Sequence, residues 1–276
     1  MQSLRSSYAK ALIGPLVPGG GGDELPPDPE EAADLEIDHD HVADYARVCG
    51  FGVRDVVPPT YPHMLGFPLQ MSYMTRREFP FPLLGMVHIA NRIEQRSPIA
   101  LVSRPTVRVW GQNLRPHRRG RQLDMVTEAS VDGEVVWLEH STYLRRGEGD
   151  ESASSPDHVA EDAELETSAV WKVPGDIGRR YGDVSGDRNP IHMHALSARL
   201  FGFPSAIAHG MWMLARCLAA FEGRAPDAHV SEVEFKAPLR IPGRAQLATG
   251  SHGDGWLFRL EPPDGERAHV VGSIEP

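Results

Sequence analysis

The sequence predicts an α+β fold made of two copies of one unit, and three observations carry that reading. Runs with the period-two alternation of antiparallel strands occur in both halves. Each half also holds one largely apolar helical stretch, which suggests strands in a meander beside a buried helix. Finally, blocks of the first half lie over blocks of the second at similar offsets, which points to duplication.

Taken in order along the chain, Arg5 and Lys10 precede a short apolar run at residues 11–17 that Pro15 and Pro18 interrupt. It makes a poor signal peptide and no transmembrane span. Residues 18–31 combine Gly, Pro and acid, so residues 1–34 are assigned as a flexible N-terminal segment. Residues 35–146 form the first copy. Its strands are residues 106–114, 122–131 and 134–144, with Asp132 and Gly133 as a hairpin turn between the last two. An acidic, solvated linker over residues 147–166 separates the copies. The second copy, residues 167–276, opens on a turn-rich motif, continues into an apolar helix over residues 206–221, and closes with four strands.

The repeat is visible in three blocks: residues 44–51 over 180–187, residues 60–71 over 202–213, and residues 92–99 over 232–239. The offsets are 136, 142 and 140. On this alignment Phe51 stands for Asp187, Val56 for His192 and Pro68 for Gly210. Phenylalanine and valine cannot move protons and proline has no N–H to donate, so the first copy is expected to be non-catalytic. Two copies side by side would cover each other's exposed strand edges.

A length of 276 residues with 41% hydrophobic content supports two cores. A net charge of −10 argues against general binding of nucleic acid or anionic membranes. Only Cys49 and Cys217 occur, each in an apolar segment, which is the usage of a cytoplasmic protein without a disulfide framework.

The chemistry concentrates in YGDVSGDRNPIH, residues 181–192, followed by FGFPSAIAHGM, residues 201–211. Asp187 and His192 are five apart in a tight turn set by Gly186 and Pro190, so both can face one pocket. A carboxylate and an imidazole that share a water can take one of its protons and return a proton elsewhere. Asn189 does not titrate and is expected to hydrogen-bond Asp187 or the water. Gly210 falls in the first turns of the apolar helix, where backbone N–H groups lack intrahelical partners and the dipole favours negative charge. Its amide could hold a carbonyl oxygen that becomes an enolate. Asp187, His192 and His194 make a weak metal set, because no further ligand follows at a typical spacing; no metal is expected.

Ser185, Gly186, Asp187, Asn189, Pro190 and His192, with Ala208, His209, Gly210 and Met211 downstream, resemble the signature of MaoC-like hot-dog proteins. These are the (R)-specific enoyl-CoA hydratases and 3-hydroxyacyl-thioester dehydratases, and the chain is most similar to their two-hot-dog actinobacterial members. The resemblance runs from about residue 35 to the C-terminus. It implies a double hot-dog fold, with a curved antiparallel sheet wrapped round a central helix in each copy. It further implies that Asp187 and His192 activate a water that adds across a trans-2-enoyl thioester while the Gly210 N–H holds the carbonyl oxygen. Ser185, Gly186, His209 and Met211 would contact substrate, and no cofactor is required beyond CoA or acyl carrier protein as the substrate's carrier. Related two-copy proteins lose helix in the first half, so Met64, Leu65, Phe67, Met71, Tyr73, Met74, Phe79 and Phe81 either line an acyl tunnel or form ordinary core.

The basic run at residues 115–121 includes Arg118, Arg119 and Arg121 on a hairpin loop, and guanidinium groups match phosphates. It could meet the phosphates of CoA or the acidic face of a carrier protein; an ordinary solvated loop is the competing reading. Lys236 and Arg240 are rival phosphate ligands. Three function classes follow: a hydratase or dehydratase, a hot-dog thioesterase, and a non-catalytic acyl-binding subunit. A thioesterase would place an acid on the central helix, where residues 206–219 have none. Oligomeric state stays open, a homodimer included.

Overall fold

The computed structural model describes residues 23–83, 85–153, 159–265 and 267–276, so the expectation for residues 11–17 lies outside the described residues. Ten strands form one antiparallel sheet in the order β1-β3-β4-β5-β2-β7-β10-β9-β8-β6. The first copy supplies β1 (Glu30–Ala32), β2 (Met86–Gln95), β3 (Thr106–His117), β4 (Gly120–Val131) and β5 (Glu134–Arg146). The second supplies β6 (Glu166–Val173), β7 (His229–Phe235), β8 (Gly243–His252), β9 (Gly255–Glu261) and β10 (Val270–Glu275). Read from either end, the order is the same five-strand pattern, and the halves meet where β2 pairs with β7. At that seam Arg92 lies opposite Glu232. The offset of 140 also makes these two residues counterparts, so the axis relating the halves passes through this pair. The duplication read from sequence is thus present as a pseudo-twofold sheet.

Strand patterning follows the alternation. Val107 and Val109 on β3 are fully buried while Arg108 between them is exposed. Asp132 and Gly133 both take positive φ, at 52° and 83°, the backbone that a two-residue turn joining β4 to β5 needs.

Among the described residues the chain also forms six helices: α1 (His39–Cys49), α2 (Pro62–Met74), α3 (Ile177–Ser185), α4 (Pro190–Met193), α5 (Ala195–Leu200) and α6 (Gly210–Ala219). The Asp38 carboxylate caps α1 by accepting from Asp40 N and His41 N. Gly50 ends α1 and Gly186 ends α3, both in the left-handed region. They are 136 apart, which supports that block of the repeat. α2 packs on β1, β3 and β4, α6 packs on β9, and α1 touches both α3 and α6. One hydrophobic cluster runs through both halves, from Ile37 to Ile274. Among the described residues no helix is long and apolar enough to cross a membrane.

The structure corrects several expectations. Residues 23–31 are docked rather than flexible: β1 pairs with β3, Tyr73 donates to Pro26 O at 2.6 Å, and Arg76 binds Glu30. The linker is docked at both ends. Gly147 N donates to Arg119 O, and Ala160 is buried against Leu257 and Val271. The first half keeps a 13-residue central helix, α2, and Met64, Leu65, Tyr73, Met74, Phe79 and Phe81 are buried in the common core. These six pack as core, while Phe67 and Met71 are half-buried, Met71 against that core and Phe67 beside the His63 ring.

The repeat alignment also shifts beyond Gly50. Val56 bridges Ala100 just as Ile207 bridges Arg240, so Val56 corresponds to Ile207 at an offset of 151. The second copy therefore carries fifteen more residues between these landmarks than the offset of 136 allows. The stretch containing α4, α5 and His192 has no counterpart in the first copy, and Val56 does not replace His192. Pro68 sits well inside α2 and not at its start. The first helical residue there is Pro62, as Gly210 is in α6.

Helix and sheet in the first half approach closely at Gly66, where an added Cβ would lie 2.5 Å from Thr127 Cγ2. Gly66→Ala is expected to destabilise by about 1–3 kcal/mol in denaturant unfolding, because an overfilled core strains its neighbours. Thr127→Ser removes the clashing methyl but keeps the hydroxyl that accepts from Gln70 Nε2. The double variant should recover most of the loss, and a single variant of unchanged stability would contradict this close packing.

Candidate active site

The site is built on the end of α3. Gly178 and Gly182 place a bare backbone stripe toward the segment that carries Asp187 and His192. A Cβ at Gly178 would lie 2.0 Å from His192 O, and one at Gly182 would lie 3.0 Å from Asp187 O. Val42 and Ala46 hold the matching positions of α1, where no such segment packs. Gly186 then turns the chain with φ of 76°, and Asp187 is the next residue.

Asp187 is held from three sides. Its N–H donates to Ser185 Oγ at 3.1 Å, its Oδ1 accepts from Asn189 N at 3.0 Å, and its backbone O meets His209 Nε2 at 3.0 Å. Asn189 thus binds the carboxylate through its backbone, not its side chain; the side-chain oxygen caps α4 by accepting from Ile191 N. His192, one turn on, directs Nδ1 to Ile207 O at 2.8 Å. A carbonyl can only accept, so Nδ1 carries the proton and Nε2 is the bare, basic nitrogen. The His192 and His209 rings stack with centroids 3.7 Å apart, and Asp187 Oδ2 lies 3.7 Å from His209 Nε2.

Burial works to raise the Asp187 carboxyl, but the His209 and His192 rings and the Asn189 N–H outweigh it and leave the group below its ordinary pKa. Burial pushes His192 down despite the opposing effect of Asp187, and it pushes His209 down to about 3, helped by His192. Near neutral pH the site therefore holds one carboxylate and two neutral imidazoles. The Asp187 side chain is 34% exposed while His192 and His209 are buried, so the carboxylate is the group solvent reaches.

Gly210 is the first residue of α6. Ile207 and Ala208 bond to Ile191 O and Leu239 O, which keeps residues 206–209 extended and starts the helix four residues later than the apolar run suggests. The Gly210 N–H has no intrahelical acceptor, and none appears among the described residues. The Phe235 ring packs against the glycine, 3.2 Å from where a Cβ would stand.

The first half contributes groups that the sequence did not reveal. His88 on β2 stacks on Tyr143 at 4.7 Å and meets Phe235 at 4.9 Å, across the seam from its own half. Its buried Nε2 has no hydrogen-bond partner among the described residues, and burial lowers the ring to about 4. Behind it Glu139, fully buried, accepts from Asn91 Nδ2 at 2.8 Å and pairs with His63 Nδ1 at 2.7 Å. A lone histidine in a strand carries no signal by itself; only the seam brings His88 toward Phe235 and Gly210. The glycine spacing at 178, 182 and 186 was a legible signal for close packing.

Other expected residues are placed differently. Ser185 and Met211 are buried, Ser185 orienting Asp187 and Met211 packing in the core, so neither is presented to a ligand. Lys236 Nζ is bound by Glu161 at 2.7 Å and Glu234 at 2.6 Å, which occupies it against a phosphate. Arg118 and Arg119 are exposed on the β3–β4 hairpin, whereas Arg121 is tied to Asp23 and lies over Phe81. That hairpin is at the end of the sheet where β2 begins: Arg121 pairs with Arg145, and Arg145 with Met86. Asp187, His192 and His209 each offer a possible ligand atom within 4.8 Å of the others. His209 rather than His194 thus completes a cation-sized set, although each imidazole has one nitrogen committed to a backbone carbonyl.

Residues 158–258 match the family model described as MaoC like domain. The 3-hydroxyacyl-thioester dehydratase X of Mycobacterium tuberculosis is 39% identical over 275 residues, covering 99% of this chain and 97% of the relative. A crystal structure of HtdX from that organism superimposes with a TM-score of 0.79 at 37% identity, covering 90% of this chain and 99% of the other. A MaoC-like dehydratase from Phytophthora capsici gives 0.75 at 18% identity over 91% and 95% of the two chains, a likeness of fold alone.

The buried neutral histidines couple stability to acidity. The folded pKa of His88, about 4, lies below its ordinary 6.5, so the unfolded chain binds the proton first as pH falls. Stability linked to this ring is intact above pH 6.5 and is lost on acidification between there and about pH 4. That loss reaches on the order of 2 kcal/mol by pH 5. His88→Phe keeps the stacking and removes the titration. Its thermal stability is expected to fall less steeply than that of the wild type between pH 6.5 and 4.5, and parallel profiles would assign the acid sensitivity elsewhere.

Proposed function

The chain belongs to the MaoC-like dehydratase family, whose members are hydro-lyases, and from that premise we propose that it interconverts trans-2-enoyl and (R)-3-hydroxyacyl thioesters in fatty-acid metabolism. The observation that carries this reading is the pairing of an ionised, partly exposed Asp187 with a neutral His192 whose free nitrogen is Nε2. In the hydration direction the pair holds a water. Its oxygen bonds to C3 while one of its protons passes to the imidazole, and a proton is delivered to C2, so that the pair ends as it began. Charge that gathers on the thioester oxygen meets the Gly210 N–H at the positive end of α6. Dehydration is the reverse. This chemistry asks for no metal or cofactor, and the carrier is CoA or an acyl carrier protein. Two buried thiols without a disulfide suit a cytoplasmic setting.

Thioester hydrolysis is the less favoured reading, because α6 bears no carboxylate between Gly210 and Ala219. The two are separated by following enoyl absorbance and free thiol together on trans-2-enoyl-CoA. Loss of absorbance with thiol unchanged is expected, and thiol release would overturn the proposal. Asp187→Asn and His192→Gln should each lower kcat by about 10²–10⁴-fold. The double variant should lose little more, since groups that share one water act as a unit. Fully additive losses would contradict the shared water.

Gly210→Pro tests the amide. A proline suits the first helical position, as Pro62 does in α2, and the preceding His209 already has φ −67° and ψ 142°, the extended backbone a following proline requires. The Phe235 ring must yield a few tenths of an ångström. Kcat is expected to fall about 10²–10³-fold with KM little changed. A variant with native melting temperature and native kcat would remove this amide from the mechanism.

A further inference from the structure

We propose that α5, together with the free arginines of α3, is the docking face for an acidic acyl carrier protein that delivers the substrate. This rests on the thioester chemistry proposed above and names its carrier. On α5, Leu196 and Leu200 are 76% and 84% exposed, and Phe201 follows at 38%. Residues four apart lie on one face of a helix, and the opposite face carries the buried Ala198. Among the described residues the other strongly exposed large apolar side chains are valines scattered one by one at 53, 102, 159 and 170, so α5 alone of these presents a cluster. Single exposed apolar side chains are ordinary, whereas adjoining ones rimmed by charge mark contact surfaces.

The rim is basic on a chain whose net charge is −10. Among the described residues Arg179 and Arg199 donate their side-chain N–H groups to backbone carbonyls alone, those of Met193 and Pro204, and Arg180 has no carboxylate within ion-pair distance. Arg188 alone of this group is neutralised, by Asp183. A groove of about 580 Å³, lined by Arg179, Arg180 and Arg188 against Asp176 and Asp183, with Ser197 beside them, joins this rim to the turn that follows Asp187 and keeps one more arginine than aspartate. α5 is fastened to that same turn, since Ser197 Oγ donates to Pro190 O at 2.6 Å. A partner seated on Leu196 and Leu200 is thereby set beside the segment that carries Asp187 and His192. The complementary partner has acidic residues around an apolar spot and a flexible arm ending in the thioester. Complementary charge raises the rate of encounter and fixes orientation.

The test compares one acyl group, trans-2-butenoyl, on three carriers: a purified bacterial acyl carrier protein, CoA, and N-acetylcysteamine. Two variants are made, Leu196→Asp with Leu200→Asp, and Arg179→Glu with Arg180→Glu. For each, KM on the carrier-protein thioester is expected to rise about tenfold or more, a loss of about 1.4 kcal/mol. Values of kcat/KM on the N-acetylcysteamine thioester should stay within about twofold of wild type. Equal losses on CoA and the carrier protein would mean that these arginines bind nucleotide phosphates, and would overturn the proposal. So would unchanged KM on the carrier protein, above all if Arg118→Ala with Arg119→Ala raises it instead. A wild-type dimer that Leu196→Asp with Leu200→Asp converts to monomer would make the face a self-contact. Wild-type turnover of CoA but not carrier-protein thioester would likewise sink the docking idea alone. Failure of the wild type on all three carriers would instead refute the proposed reaction.

Discussion

The antiparallel pairing of β2 with β7 is the constraint on which the rest of the molecule depends. It removes one edge from each five-stranded half, and unpaired edges invite association with other chains. It also sets Arg92 opposite its own counterpart, Glu232, so the two halves are fixed relative to each other by backbone hydrogen bonds rather than by side-chain packing alone. Everything reaching across the molecule follows from that register. His88 meets Phe235 only because β2 runs beside β7, and Phe235 in turn closes against Gly210. On the helical side, Trp212 on α6 donates its indole N–H to Val48 O at the end of α1. The result is one core and not two cores in contact.

Only one half carries the pairing of Asp187 with His192, and the difference is more an insertion than a set of substitutions. The fifteen additional residues between Gly186 and Ile207 hold His192 and the cap that Asn189 makes on α4. Such a segment needs a bare helix face to lie on. Gly178 and Gly182 supply it in α3; a side chain at either would meet the backbone of His192 or Asp187. The first copy has Val42 and Ala46 there, and Phe51 where the carboxylate stands. Those three positions and the missing segment describe one change. Without the segment there is no need for glycine, and without the glycines the segment could not pack.

This also marks where the sequence was legible and where it was not. The strands, the Asp132–Gly133 turn and the turn at Gly186 were readable, because alternation and positive-φ positions are local properties of the chain. Asp187 and His192 were readable as a pair because a short turn brings them together, whereas His209 joins them only through the fold. The alignment of Val56 with His192 and of Pro68 with Gly210 failed because a constant offset cannot pass through an insertion. Lys236 was misjudged for another reason: its partner Glu161 lies in the linker, and only the fold brings the two together. Composition likewise marked residues 23–31 as loose, although Tyr73 and Arg76 hold them to the first half. His88 and the Glu139–His63 pair lay beyond any local pattern, since their meaning arises at the seam.

The covalent join between the halves has a consequence for how the protein behaves on dilution. Were the two units separate chains, each association would compete with free diffusion, and the unit that holds Asp187 would lose His88 and the neighbouring strand whenever its mate left. A tether as short as residues 147–165 holds the mate at an effective local concentration that no assay dilution alters. The seam can therefore be weaker per residue than an interface between free subunits and still stay closed. One unit is also free to change without its partner changing in step, which no assembly of identical chains permits.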